Sequence, residues 1–392
     1  MASGAPLATP ATEDTPDRIA HTLHRDGAEV KAQAARSNLV AVLPPILLAV
    51  PNVSEGRDPA AIERIGAAFA PSRPSAAQVD PVRLLDVHSD PDHHRSVFTL
   101  AGPPRELADA LLGGAAEAVR SIDVVARANG DVAARGAHPH VGALDVVPLV
   151  YFDPRLRGAA CATALVVGER IGNELGVPVF LYGELASGRP DATRAELRRG
   201  GIAGLAARLA KTNANASTAT ATSANAGAGT STNTNATQPS PQPDFGPRKL
   251  HPSAGATLLA AREPLIAFNL QLRAPATLAD ARRIAALIRE GGERGLPGLR
   301  AIGVELDGAV AQVSMNVERP FELALFEVVQ AVERHARVAS AELVGLAPRA
   351  AFEGFPGDLP MPGFDPARHL IENALAAAPP SENAADENAL GC

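Results

Sequence analysis

From residue 264 to residue 346 the spacing of apolar residues switches between period two and period 3.6 in the order strand, helix, strand, strand, helix, strand. Few folds accept that order. Residues 264–272 read as a strand, and 278–290 place Ala281, Ile284, Ala285 and Ile288 on one helical face. Residues 299–306 and 309–317 read as strands joined by Asp307-Gly308, a dipeptide suited to a tight hairpin. Residues 321–338 have amphipathic helical spacing and 341–346 close as a strand. The string βαββαβ is the ferredoxin-like, split-βαβ order.

The first half gives the same string with additions. Strands are expected at 45–50, 82–87, 95–101 and 144–151, and helices at 59–70 and 105–122. An extra helix at 158–175 and a strand at 177–182 follow. The letters do not repeat, so the duplication is one of pattern. The expected class is α+β: two tandem ferredoxin-like (βαββαβ) subdomains with insertions, their sheets packed together. The N-terminal subdomain spans 45–262 and the C-terminal one 263–378. Residues 1–44 and 379–392 read as a loose extension and a disordered tail. Residues 212–243 hold no charge, no aromatic and no Val, Ile or Leu, so they cannot offset their ordering entropy and are expected to be a disordered insertion.

Composition removes several function classes. A net charge of -7 disfavours nucleic acid as a partner. Two cysteines cannot build a disulfide framework or a Cys-rich zinc site. The longest apolar run, 39–50, is broken by Pro44 and Pro45 and falls short of the roughly 20 residues of a membrane span. The first 36 residues lack the apolar core of a secretory signal, so the cytoplasm is the expected compartment. With aromatics at 3% and no Trp, the core must be aliphatic.

Three segments carry chemistry. His88-Ser-Asp-Pro-Asp-His93-His94-Arg95 reads as a loop between two strands. Its His and Asp content would suit a metal, but the spacing matches no standard ligand pattern, and a substrate-facing polar loop or a solvated turn compete; no metal is expected. In Gly136-Ala-His138-Pro139-His140-Val-Gly142, Pro139 holds His138 in extended geometry and the glycines allow close ligand approach. Histidine moves protons both ways near neutral pH, although a loop histidine capping a strand end explains the same residues. Asp244-Phe-Gly-Pro-Arg248-Lys249-Leu-His-Pro-Ser-Ala-Gly255 sets two cations among turn residues, as an anion site or simply a loop re-entering order. The glycines at 295, 298 and 303 are too irregular for a nucleotide fingerprint.

Taken together the motifs resemble a known family. Val50-Pro-Asn-Val-Ser-Glu-Gly56, Leu84-Leu-Asp-Val87, Asp92-His-His-Arg-Ser-Val-Phe-Thr99, His138-Pro-His-Val-Gly-Ala-Leu-Asp145, Val177-Pro-Val-Phe-Leu-Tyr-Gly-Glu184, Asp244-Phe-Gly-Pro247 and Leu265-Ile-Ala-Phe-Asn269 run in the order seen in glutamate formimidoyltransferases. The resemblance covers residues 47 to 377, and nothing in the chain matches the cyclodeaminase part of the animal enzymes, which implies a single activity.

That family moves the formimidoyl group of N-formimidoyl-L-glutamate to N5 of tetrahydrofolate, giving L-glutamate and 5-formimidoyltetrahydrofolate in histidine degradation. The resemblance implies that His138 is catalytic. It implies folate contacts at Gly246, Pro247, Arg248, Lys249, Leu250, His251, Pro252, Ser253, Ala254 and Gly255, and more loosely at Gly298, Leu299, Arg300, Ala301, Ile302 and Gly303. Further substrate contacts are expected at Asn52, Ser54, His88, Arg95 and His140. Animal members carry Asp at the position of His88 and Arg at that of His140. Arg95, Arg248 and Lys249 are the cations expected to hold substrate carboxylates. Tetrahydrofolate enters as co-substrate, with no metal, no nucleic acid or membrane partner, and a homodimer as the expected assembly. Formyl transfer from N-formylglutamate and a catalytically silent folate-binding module remain the alternatives.

Overall fold

The computed structural model describes residues 33–35, 46–71, 82–130, 136, 139–186, 188–189, 193–223 (backbone alone from 213) and 241–377. Seven strands form the first sheet: β1 (Leu47–Ala49), β2 (Asn52–Val53), β3 (Arg83–Asp90), β4 (Arg95–Gly102), β5 (Leu144–Val150), β6 (Val179–Leu181) and β7 (Thr257–Arg262). β1 and β2 are two pieces of one strand, interrupted at Val50-Pro51, because both lie antiparallel between β4 and β5. β3 pairs with the far edge of β4, while β7 and then β6 extend the sheet in parallel beyond β5.

Helices α1 (Pro59–Phe69), α2 (Pro104–Ser121) and α3 (Arg157–Glu174) cover one face, and α4 (Gly201–Ser223) follows in the chain. The start of α1 is set locally. Asp58 accepts from the backbone N–H groups of Ala60 and Ala61, and Pro59 supplies a preset φ where no donor is needed. Ile65 and Phe69 of α1 and Leu107 and Leu111 of α2 then bury against Phe98 and Leu100 of β4.

The second sheet contains β8 (Ile266–Leu272), β9 (Leu299–Leu306), β10 (Val310–Val317) and β11 (Val338–Val344), in the order β11-β8-β10-β9 with every neighbour antiparallel. Helices α5 (Leu278–Ile288) and α6 (Leu325–Glu333) cover it. A capping box between Thr277 and Asp280 starts α5. Counting strands within each half, both sheets run fourth, first, third, second. The α+β class and the duplicated pattern are therefore present in the tertiary structure.

Period-two alternation assigns the remaining faces. Phe268, Leu270, Val313 and Met315 point into the helix-covered core, so Asn269, Ser314 and Asn316 point the other way. On β4, Phe98 and Leu100 face the helices while Arg95, Val97 and Thr99 face out. These two outward faces meet, and a cavity lies between them. The end of the chain helps to close it: Ile371, from the short helix Ile371–Ala376, packs with Leu48, Ala101, Val150 and Phe152 of the first half, and Arg83 donates to the carbonyls of Ala374, Leu375 and Ala377.

Several expectations need correction. α4 continues through Ser223, past residue 212 where composition predicts disorder. Buried Leu205 and Leu209 anchor its start, and once a helix is nucleated each further residue adds one hydrogen bond. Residues 224–240 of that insertion lie outside the described residues, as do most of 1–44 and all of 379–392. The helix expected at 321–338 stops at Glu333, because Val338 joins the sheet opposite Leu272. β7 was not expected: Thr-Leu-Leu-Ala-Ala-Arg, a parallel strand buried along almost its whole length, shows no alternation to read. His88 and Asp90 belong to β3, so the connection to β4 is a tight turn at residues 91–94. Among the described residues no helix is long and apolar enough to cross a membrane.

Candidate active site

The cavity between the sheets opens to solvent. Asn52, His88 and Arg95, three of the residues expected at the substrate, line it. Tyr182, Arg194, Arg198, Arg262 and Asn269 line it too. Arg95 opens β4. Burial, reinforced by the charges of Arg198 and Arg194, pushes its guanidinium down to about 9, which still leaves it protonated at neutral pH. Arg194 and Arg198 sit one turn apart on the short helix Arg194–Arg198, whose start is capped by the Thr193 side chain. Arg198 is buried and ion-paired with Asp145 of β5. The second oxygen of Asp145 accepts from Val141 N at 2.8 Å, so Asp145 ties the arginine to the segment that follows His140.

On the opposite wall His88 Nε2 lies 3.2 Å from Glu342 Oε1, and Asn269 donates to Glu342 Oε2 at 2.8 Å. This contact joins β3 of the first sheet to β11 and β8 of the second. Burial works against a charged imidazole, but the Glu342 hydrogen bond and the charges of Glu342, Asp86 and Asp90 outweigh it, so His88 titrates above the ordinary histidine range. Burial likewise opposes the Glu342 carboxylate, yet the hydrogen bonds from His88 and Asn269 hold it below the usual range. A second cross-sheet contact places His93 Nε2 3.3 Å from Gln312 Oε1.

His94 is a structural histidine. Its Nδ1 accepts from Gly56 N at 3.1 Å, and burial pushes it down to about 4, so it stays neutral. Beside it Glu55 accepts from Arg57 N at 2.9 Å, Asp58 N at 3.0 Å and Arg127. These bonds outweigh burial and hold Glu55 below the usual carboxylate range. Ser54, one of the expected substrate contacts, donates to Gly142 O at 2.7 Å and fixes the loop before β5.

His138 lies outside the described residues; Gly136 and Pro139 on either side of it are described. Gly136 has φ +71 and passes so close to His93 that a Cβ would sit 2.4 Å from the His93 carbonyl oxygen. His140 is half-buried, and its charge acts on His94. The segment is bound to the end of the expected folate stretch: Ala143 N donates to Ala254 O at 2.9 Å, Ala256 N donates to Val141 O at 2.9 Å, and Gly142 faces Gly255. The fold thus joins two of the sequence-derived segments by backbone hydrogen bonds.

Other expected residues are placed elsewhere. None of 246–255 or 298–303 lines the cavity between the sheets, and Arg248 and Lys249 are exposed. Residues 299–303 run along β9, an edge strand, where Arg300 pairs with Glu318 at 3.3 Å. Gly303 has a packing reason: a Cβ there would lie 2.3 Å from the Arg282 nitrogen of α5. Arg194, Arg198, Arg262 and Tyr182 are the residues that sequence reasoning missed. The available signals were the four-residue spacing of Arg194 and Arg198 behind a Thr cap and the place of Tyr182 inside the Val177–Glu184 motif. Among the described residues no three His, Cys, Asp or Glu side chains are grouped so as to hold a metal ion.

Comparison with known proteins agrees with the motif order. The sequence model described as the formiminotransferase domain, N-terminal subdomain, matches residues 46–262. A glutamate formimidoyltransferase of Streptococcus pyogenes serotype M1 is 32% identical over 337 residues, 84% of this chain and 98% of that protein. A glutamate formimidoyltransferase of Thermoplasma acidophilum is 32% identical over 308 residues, 77% of this chain and 88% of its own length. The formimidoyltransferase-cyclodeaminase of Sus scrofa is 34% identical over 314 residues, 77% of this chain and 50% of that longer protein. On the matched subdomain and on relatives aligned over nearly their full length, the chain belongs to the formiminotransferase family.

Proposed function

We propose that this protein is a glutamate formimidoyltransferase, which transfers the formimidoyl group of N-formimidoyl-L-glutamate to N5 of tetrahydrofolate. Alignment along almost the whole of the Streptococcus pyogenes glutamate formimidoyltransferase carries the reading. The cation-lined cavity between the sheets fits it, since both substrates are carboxylate anions. In this reading N5 of the folate attacks the amidine carbon. The tetrahedral intermediate loses the N5 proton to His138, and His138 returns that proton to the departing glutamate nitrogen. The C–N bond to glutamate breaks as the new C–N bond is retained, with no net gain of protons.

A histidine acting in both directions contributes about 10²–10⁴-fold. Holding two anions at reacting distance supplies much of the rest. Residues 246–255 are assigned to the folate, supported by their backbone bonds to the segment after His140. His94 and Glu55 hold the turn beside that segment, and Asn52 donates to Val50 O at 2.7 Å to fix the break between β1 and β2. We read the enzyme as a cytoplasmic homodimer that uses tetrahydrofolate as co-substrate and no metal. Incubating the purified chain with both substrates tests this reading. Formation of 5-formimidoyltetrahydrofolate and L-glutamate is expected, and absence of both products with active folate would overturn it.

A further inference from the structure

Among the described residues that line the cavity, Asp90 is the one carboxylate. It ends β3, on the same strand face as His88 two positions before it. The turn that follows fixes one of its oxygens: Oδ1 accepts from Asp92 N at 2.8 Å and from His93 N at 2.9 Å. Gly56 packs over the same turn so closely that a Cβ would meet the Asp90 carbonyl oxygen at 2.2 Å, so the carboxylate stands on rigid backbone.

The second oxygen, Oδ2, makes no hydrogen bond among the described residues. His93 Nε2 lies 3.6 Å from it and is closer, at 3.3 Å, to Gln312 Oε1. Two other cationic groups of the wall are matched elsewhere, His88 by Glu342 and Arg198 by Asp145. Oδ2 is thus a negative group on the cavity wall that the surrounding side chains leave to a ligand.

The donor of the reaction proposed above carries one cation besides its carboxylates. An amidine is a stronger base than an imidazole, so at neutral pH the formimidoyl group is a planar amidinium with N–H donors on both nitrogens. Such a group takes a carboxylate as a guanidinium does, and the arginines of the wall repel it. A formyl group in the same place is neutral and ends in a carbonyl oxygen, which a carboxylate repels.

We propose that Asp90 receives the formimidoyl amidinium and so selects a formimidoyl over a formyl donor. Charge complementarity inside one cavity carries the assignment, since Asp90 is the described lining residue whose charge matches the cation. The inference rests on the formimidoyl-transfer reading and adds to it the side chain that recognises the transferred group.

The experiment compares wild type with Asp90→Asn in the full-length chain. Asparagine keeps an oxygen for the Asp92 and His93 N–H groups but puts an N–H donor in place of the second oxygen, which suits a formyl group and opposes an amidinium. Two constants are measured with tetrahydrofolate present: KM for formimidoylglutamate, and the inhibition constant of N-formylglutamate competing with it. In the variant that KM is expected to rise roughly 10- to 100-fold, the scale of a lost charge-assisted hydrogen bond. The inhibition constant should stay level or fall, and KM for tetrahydrofolate should stay within about twofold. Asp92→Asn, in the same turn but not among the lining residues, serves as the unaffected control.

A KM for formimidoylglutamate within twofold of wild type overturns the proposal. So does a rise confined to tetrahydrofolate, whose pterin edge also carries paired N–H donors. Equal weakening of both glutamate derivatives overturns it as well, because a merely structural role of Asp90 would give that result. Should Asp90→Asn fail to fold, Asp90→Ser still accepts from the two N–H groups and must show the same rise. If the wild type transfers no formimidoyl group, the functional reading fails, and calorimetry with formimidoylglutamate decides the site. Binding by wild type that Asp90→Asn loses supports it; no binding, or binding equal in both, overturns it.

Discussion

The contact between His88 and Glu342 makes the stability of the molecule depend on pH in a direction the structure fixes. The perturbation is Glu342→Gln, which keeps the shape and can still accept from Asn269 but removes the negative charge. Both partners are mostly buried, with side-chain exposures of 22% and 26%, so solvent screens the pair only in part. A hydrogen bond between charged groups contributes about 1.5–3 kcal/mol, against about 0.5–1.5 kcal/mol for one between neutral groups. The charged component is therefore worth about 1 kcal/mol.

His88 titrates higher in the folded protein than in the unfolded chain. Its contribution is fully present below the unfolded value near 6.5 and is lost as pH rises through the folded value. Glu342 is shifted down, so its contribution is present above the ordinary Glu range and is lost as pH falls through its folded value. The pair is strongest between those limits, which includes pH 6. A double-mutant cycle with His88→Asn and Glu342→Gln, read by denaturant unfolding, should give a coupling of about 1–2 kcal/mol at pH 6 and clearly less at pH 9. For a chain of this size the loss of about 1 kcal/mol in Glu342→Gln corresponds to a fall of about 2–4 °C in Tm at pH 6. A coupling that is equal at both pH values, or larger at pH 9, refutes the argument.

Three further outcomes are expected. His138→Ala should lower kcat by about 10²–10⁴-fold with KM for both substrates little changed, and should flatten the limb of the pH–rate profile in the histidine range; retention of a third of wild-type kcat would assign the proton transfer elsewhere. Gly142→Ala would place a Cβ 1.8 Å from the Ala256 carbonyl oxygen, so the segment and the 253–256 loop must part. Its expected cost is about 1–3 kcal/mol in unfolding free energy together with a lower kcat, and calorimetry beside a turnover assay will show either effect missing. Prolonged dialysis against EDTA should leave turnover unchanged, whereas activity lost on chelation and restored by added zinc or manganese would establish a metal requirement.

The sequence by itself determined most of the elements and the family. Apolar spacing places α5 and the β9–β10 hairpin within a residue or two, since a helix face or a strand face must be apolar to bury at all. Local chemistry closes the ends, with Asp58 and Pro59 starting α1 and Thr277 with Asp280 starting α5. Seven collinear motifs identify the formiminotransferase family because their order, rather than any one of them, is rarely met by chance.

Tertiary structure alone decided what those elements bring together. That β1 and β2 form one broken strand inside the sheet follows from pairing with β4 and β5, partners distant in sequence. Arg248 and Lys249, adjacent and conspicuous in the sequence, are exposed, whereas Arg194, Arg198 and Arg262, separated by an insertion and a loop, share a cavity wall. A cation inside a periodic pattern carries no mark of its destination. Where it points is set by which face its element buries, and where it ends by the long-range pairing of two sheets, neither of which local spacing encodes.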